Sequence, residues 1–264
     1  MKKLTLIFAA FGLLLCACEK EKNSANADAL VGEWTNTIAA FNQTMTFGKD
    51  GKYSQTDDDV LTNGKWELKG SDLIILRESP DPESDEMERT EVKVKFLGGK
   101  AALVTEFEYE DDFSGKQKIS SLYYKKGAQV QSGTLKDGRY DAPHTGIKGS
   151  GNYDRTASFI VKGNQVDLYV HAWGCHLRGT YKIENGMFKF NPTWGEYGQS
   201  SDGGWSAGEA DIDFENFSFK NSKYHWVEGM TYQDVFSSFP MCVSDDGKEL
   251  YFSTAGFTKW AFLR

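Results

Sequence analysis

Basic clusters, proline and helical periodicity are all scarce in this sequence, and it has only one long apolar run. Five prolines in 264 residues, with 14% aromatics, argue against a disordered chain. The formal net charge is −8, and no block of lysine or arginine breaks that acidity. This argues against nucleic acid and against electrostatic docking on an anionic lipid surface. No stretch approaches the ~20 apolar residues that a membrane-spanning helix needs. His-Glu-x-x-His, Gly-x-Ser-x-Gly and Gly-x-x-x-x-Gly-Lys-Ser/Thr are all absent, which removes three large enzyme classes. The chain is read as non-catalytic, with no cofactor.

What is present begins with MKKLTLIFAAFGLLLCACEKE. Lys2 and Lys3 form a charged start, and Leu4 to Leu15 an apolar segment of signal-peptide length. Leu15-Cys16-Ala17-Cys18 resembles a bacterial lipobox, in which a small residue precedes the cysteine that is acylated. Ala17 before Cys18 fits that pattern, and Leu15 before Cys16 fits it poorly. The resemblance implies that residues 1–17 are removed and that Cys18 carries the lipid. Glu19 follows instead of aspartate, which points to the outer membrane, on its periplasmic or cell-surface face. Residues 18–27 read as a polar, flexible tether. Lipid, not charge, is then the membrane anchor.

Short alternating runs with Gly, Asn and Asp between them dominate the rest. Met45 and Phe47 alternate with threonines, and Gly48-Lys49-Asp50-Gly51 turns the chain toward Tyr53. Trp66 and Leu68 alternate in GKWELKG, and Gly70-Ser71-Asp72 leads into Leu73–Leu76. The acidic runs Asp57-Asp58-Asp59 and 79–89 read as solvated loops, since they lack calcium-loop spacing. The second half repeats this plan. Gly32-Glu33-Trp34 has a counterpart in Gly138-Arg139-Tyr140, and GKWELKGSDLII (64–75) in GTYKIENGMFKF (179–190). One segment differs: Tyr232, Val235, Phe236 and Phe239 share a helical face, and Pro240 follows, so 231–239 is expected to be a short helix.

Leu30-Val31-Gly32-Glu33-Trp34, followed by antiparallel hairpins, resembles the opening of lipocalin-like domains found in exported bacterial lipoproteins. The resemblance implies a mainly β fold: antiparallel up-and-down barrels or half-barrels, duplicated, with one short helix. The domains expected are 28–128 and 133–264. It further implies that Gly32 and Trp34 plug the closed end of the first barrel, with Lys125 or Lys126 across the indole. In the second half Tyr140 takes the place of tryptophan, with Arg264 as the matching cation.

Candidate binding residues cluster late in the chain. HAWGCH (171–176), NPTWGEYGQSSDGGW (191–205) and KYHW (223–226) hold four of the seven tryptophans. Trp173, Trp194, Tyr197, Trp205, Tyr224 and Trp226 are the expected ligand-binding set, with 191–205 read as a Gly/Ser-rich loop. Flat aromatic faces beside polar groups suit a small apolar or amphipathic molecule, or a glycan. Ordinary core packing of these aromatics is the competing reading. It leads to a structural module that contacts another envelope protein through side-chain-filled barrels. His171, Cys175, His176 and His225 are ligand types, but no metal site is assigned to them. Cys175 and Cys242 are the cysteines left for a disulfide in an oxidising compartment, the alternative being two buried thiols.

Overall fold

The computed structural model describes residues 26–38, 42–78, 87–111, 115–130, 133–143, 155–170, 175–201, 204–211, 238–254 and 257–264. A short helix covers 26–30. Then come β1 (Gly32–Asn36), β2 (Thr44–Phe47), β3 (Lys52–Asp57), β4 (Val60–Lys69), β5 (Asp72–Glu78) and β6 (Met87–Leu97). They are followed by β7 (Ala102–Asp111), β8 (Gly115–Lys125), β9 (Gly138–Pro143), β10 (Arg155–Lys162), β11 (Gln165–Val170) and β12 (Cys175–Glu184). The last are β13 (Met187–Ser201), β14 (Gly204–Asp211), β15 (Ser238–Val243), β16 (Glu249–Thr254) and β17 (Phe257–Leu263). The protein is mainly β and contains two antiparallel eight-stranded barrels. Packing groups the chain up to Trp34 with Gln43–Val94 in one unit, and Thr35–Asn42 with Lys95–Arg264 in another.

In the first unit, β2 to β6 are joined hairpin by hairpin. The register places Phe47 opposite Tyr53, Trp66 opposite Ile75, and Leu73 opposite both Leu68 and Val92. Successive strand residues face opposite sides, so these share one face. Phe47, Tyr53, Leu73 and Ile75 are buried there, while Lys52, Lys65, Glu67 and Glu91 are exposed on the other. The acidic run Asp57-Asp58-Asp59 lies at the tip of the β3–β4 hairpin. Asp58 and Asp59 both adopt positive φ, 45° and 72°.

In the second unit, the pairings β9–β10–β11–β12–β13 continue through β15, β16 and β17. β17 returns to β9 with Phe262 opposite Asp141 and Leu263 opposite Tyr140. These eight strands close on themselves, and β14 lies outside the ring, paired with β13. Closure leaves no unpaired edge along the ring. At the seam, the Asp141 carboxylate is 1% exposed and held from three sides. Arg139 Nε donates to it at 2.8 Å, Ser158 Oγ at 2.5 Å, and Arg264 Nε lies 2.6 Å from its other oxygen. These contacts join β9 to β10 and to the residue that follows β17. The expected role of Arg264 is corrected here: it serves this buried carboxylate, with its Cζ 6.0 Å from the Phe262 ring.

The duplication is visible in matched geometry inside each unit. Gly32 and Gly138 have φ of 127° and 139°, a region that favours glycine. Two residues on, Trp34 and Tyr140 are both 0% exposed. Trp34 Nε1 donates to Leu30 O at 2.7 Å, and Tyr140 Oη accepts from Lys136 N at 2.8 Å, each a partner four residues earlier. Gly64 and Gly179 form a second pair. A Cβ at either would fall 2.1 Å from a carbonyl oxygen of the next strand, Leu76 or Asn191. The aromatics that follow, Trp66 and Tyr181, each donate to a glycine carbonyl eighteen residues back, Gly48 at 2.9 Å and Gly163 at 3.2 Å.

Two expectations about late segments change. Phe239 and Pro240 belong to β15, where Phe239 pairs with Phe188; a helix reaching 239 is not formed. The described helix is at 26–30, and 231–237 lie outside the described residues. Nor does Cys242 pair with Cys175. Cys242 is a free, buried thiol. Cys175 sits opposite Tyr197, whereas Cys242 lies past the Met187–Pro240 pair at the far end of β13. Ten residues of strand separate those points, roughly 30 Å at ~3.3 Å per residue, against the ~7 Å limit for bridged Cα atoms.

Cys242 is packed among Leu97, Ala102, Val104, Leu122 and Tyr251, so the β7–β8 hairpin covers this side of β15 and β16. Burial pushes its thiol up to about 12, and burial likewise raises Tyr181 to about 12. Tyr124 and Tyr251 are shifted upward for the same main reason. Unfolding exposes these groups, and above about pH 9 they then release protons that the fold retains. Their contribution to stability is present in full below pH 9 and is lost as pH climbs toward 12. The urea midpoint is expected to hold between pH 7 and 8 and to fall clearly by pH 10.5. A thiol reagent at pH 8 should label Cys242 only after unfolding.

Candidate functional site

Of the six aromatics nominated from the sequence, Trp194 has a described side chain. Trp173, Tyr224 and Trp226 lie outside the described residues. Tyr197 and Trp205 are placed by backbone, in β13 opposite Cys175 and in β14 opposite Ser200. Within the Gly/Ser-rich segment, residues 191–201 and 204–205 are therefore strand, not loop. Aromatics and β-branched residues favour the pleat, and the ladder supplies the backbone partners that a loop would lack.

Leu168 and Leu177 face the core of the second barrel, so Asp167, Tyr169, His176 and Arg178 face outward on the same strands. Trp194 joins them. Its ring meets the Arg178 guanidinium at 5.0 Å and the His176 ring edge-on at 5.1 Å. His176 stacks on Tyr169 at 3.9 Å, and its Nε2 lies 2.9 Å from Asp167 Oδ1. Arg178 Nε donates to that same oxygen at 2.7 Å. The cluster is closely knit: each ring packs on another, and His176 and Arg178 share the Asp167 carboxylate. It armours the outer wall and leaves Trp194 away from the barrel interior.

That interior is filled along its described length. Phe188 stacks on Phe239 at 4.9 Å and on Tyr181 at 5.2 Å. Phe159 meets Phe252 at 5.3 Å and Phe188 at 6.0 Å. Leu135, Tyr140, Leu168, Leu177 and Leu250 complete the packing. A shallow cleft of about 370 Å³ opens beside Leu135, Asp137, Asn164, Tyr181 and Lys182. The carboxylate facing it is engaged by the β10–β11 turn, Gly163 N donating to Asp137 at 2.7 Å.

A different inner face is presented by the first unit. On β2 to β6 the shared face runs from apolar to polar. Phe47, Tyr53, Trp66, Leu73 and Ile75 form the apolar part. Beyond them stand Gln55, Thr62, Arg77, Glu88 and Thr90. Arg77 follows Leu73 and Ile75 at alternate positions of one strand, so the register carries a cation onto the face that its neighbours bury. Its Nη2 donates to Thr90 Oγ1 at 3.0 Å and to Glu88 Oε1 at 3.1 Å. Nε is buried and has no hydrogen-bond partner among the described residues. Across the ladder stands Gly64, which contributes no side chain. Arg77 was not among the residues nominated from the sequence. The signal was available in DLIILRE, where Leu73, Ile75 and Arg77 share a parity.

Residues 26–116 match a family model described as lipocalin-like, and the match includes the whole β2–β6 face. The two eight-stranded antiparallel barrels are consistent with tandem lipocalin-like repeats. No curated protein matches the chain. The fold defines a β-barrel protein whose first repeat is similar to lipocalin-like domains, and lipocalin-like proteins are generally non-catalytic binders of small molecules.

The filled interior makes one outcome specific. Phe188 touches four other rings at the centre of the second barrel. Phe188→Ala is expected to cost about 3–5 kcal/mol, the range for a large buried aromatic truncated in a core. Equilibrium urea unfolding measures this; a loss under ~1 kcal/mol would show that the interior is loosely packed.

Proposed function

We propose that this protein is a lipid-anchored component of the cell envelope that binds a small amphipathic molecule in its first barrel, without turning it over. One observation carries the reading: the inner face of β2 to β6 passes from a phenylalanine–tryptophan–leucine floor to a pole built on Arg77, Thr90 and Glu88. A ligand with one apolar and one polar end suits that gradient, and lipocalin-like folds support small-molecule binding in general. The anchor rests on Lys2-Lys3, the apolar segment after them and Ala17-Cys18, with Glu19 favouring the outer membrane. In this reading the repeats are 28–128 and 133–264.

A second reading applies to the second barrel. Its phenylalanine-rich core favours a structural or protein-contact role there, because the described inner side chains pack on one another. A glycan remains the less favoured ligand, since Trp194 packs on the outer wall.

Two measurements test the proposal. Tryptophan fluorescence titrated with fatty acids, sterols and oligosaccharides is expected to respond to an amphiphile; a flat response to all three overturns the binding role. Cys18→Ala is expected to release the protein from the membrane fraction. If the variant sediments with membranes as the natural chain does, the anchor is misassigned.

A further inference from the structure

We infer that the ligand of the first barrel carries an anionic head, a carboxylate or similar oxyanion, and that Arg77 is the residue that holds it. This deepens the binding role proposed above and rests on it. A guanidinium carries five N–H donors and no acceptor, in a planar fork that matches a carboxylate. Arg77 brings that fork to the inner face with its side chain 28% exposed. Nη2 is engaged twice, by Thr90 and by Glu88. Nε, buried and without a described partner, is a donor still to be satisfied. Leaving such a donor unmet is costly, so an acceptor that reaches it is favoured.

The present arrangement already shows what chemistry the site accepts. Glu88 supplies a carboxylate oxygen to Nη2 at 3.1 Å, yet its own side chain is 62% exposed. An ion pair with one partner that exposed is weakly held. A ligand carboxylate that takes the Nε–Nη2 edge forms two parallel charge-assisted bonds in place of one. Glu88 then swings into solvent at little cost. Thr90, part-buried and fixed in the ladder opposite Ile75, stays as the group that orients the guanidinium. Behind the head, the half-buried surfaces of Trp66, Leu68 and Val92 on the same face meet an apolar tail.

This assignment gives opposite signs for two neighbouring substitutions. The full chain is titrated with dodecanoate, dodecanol and dodecyltrimethylammonium below their micellar concentrations, with calorimetry and tryptophan fluorescence as readouts. Dodecanoate is expected to bind at least tenfold more tightly than the other two. Arg77→Gln is expected to abolish that preference and leave dodecanol affinity within about twofold. Glu88→Gln removes the resident competitor and is expected to tighten dodecanoate binding several-fold. Because Glu88 is exposed, this second variant tests the site even if Arg77→Gln folds poorly, which circular dichroism reports. Equal affinity for the three probes, or a preference that survives Arg77→Gln, overturns the anionic head while the binding role stands. Weaker dodecanoate binding in Glu88→Gln also overturns it. Failure of all three probes to bind overturns the binding role itself.

Discussion

An aromatic side chain, two residues after a left-handed glycine, must be buried at the start of each repeat without stranding its polar atom. That constraint organises the molecule. Trp34 and Tyr140 are both fully buried, and an indole N–H or a phenol cannot be left unpartnered in such a place. Each solves the problem through the backbone four residues before it, Leu30 O for the indole and Lys136 N for the phenol. The segment that leads into the first strand is thereby folded back over the aromatic. Once the entry is fixed, strand alternation decides which residues face inward, and the register of every later hairpin follows.

The two repeats share their frame and differ in what they enclose. Gly64 and Gly179 let the next strand's carbonyl approach to a distance that no side chain allows, and Trp66 and Tyr181 bond back to glycine carbonyls over the same interval. From that common frame the inner faces diverge. The second barrel packs phenylalanine on phenylalanine until its described interior is full. The first places Arg77 at the position across from Gly64, where the second has Pro192 across from Gly179. The second copy thus encloses packed aromatics, and the first keeps a charged group on an inner face, where charge is costly unless it is partnered.

Much of this frame is legible in the residues themselves. Gly32-Glu33-Trp34 and its counterpart Gly138-Arg139-Tyr140 mark both repeat openings, and the alternation of Trp66 and Leu68 gives the correct inward face. Other features yield only to three-dimensional placement. Tyr232, Val235, Phe236 and Phe239 fit a helical period, but Phe239 is taken by a ladder with Phe188, and pairing overrides local pattern. The glycines and serines of 191–205 read as loop punctuation, yet the ladders on either side of β13 absorb those of 191–201. Cysteine number and compartment allow a bridge; only the register shows that Cys175 and Cys242 stand at opposite ends of one wall. Arg77 is masked by its charge: a charged residue in a strand ordinarily faces water, and parity with Leu73 and Ile75 places this one on the inner face.

In the proposed function the first barrel, not the aromatic-rich second half, receives the ligand. Fluorine NMR of protein labelled with 5-fluorotryptophan tests it directly, since each tryptophan reports separately once assigned by Trp→Phe variants. On titration with dodecanoate, the Trp66 resonance is predicted to shift in proportion to occupancy, while Trp194 on the outer wall stays fixed. A Trp194 shift with Trp66 unmoved would contradict the account and return the site to the second half of the chain.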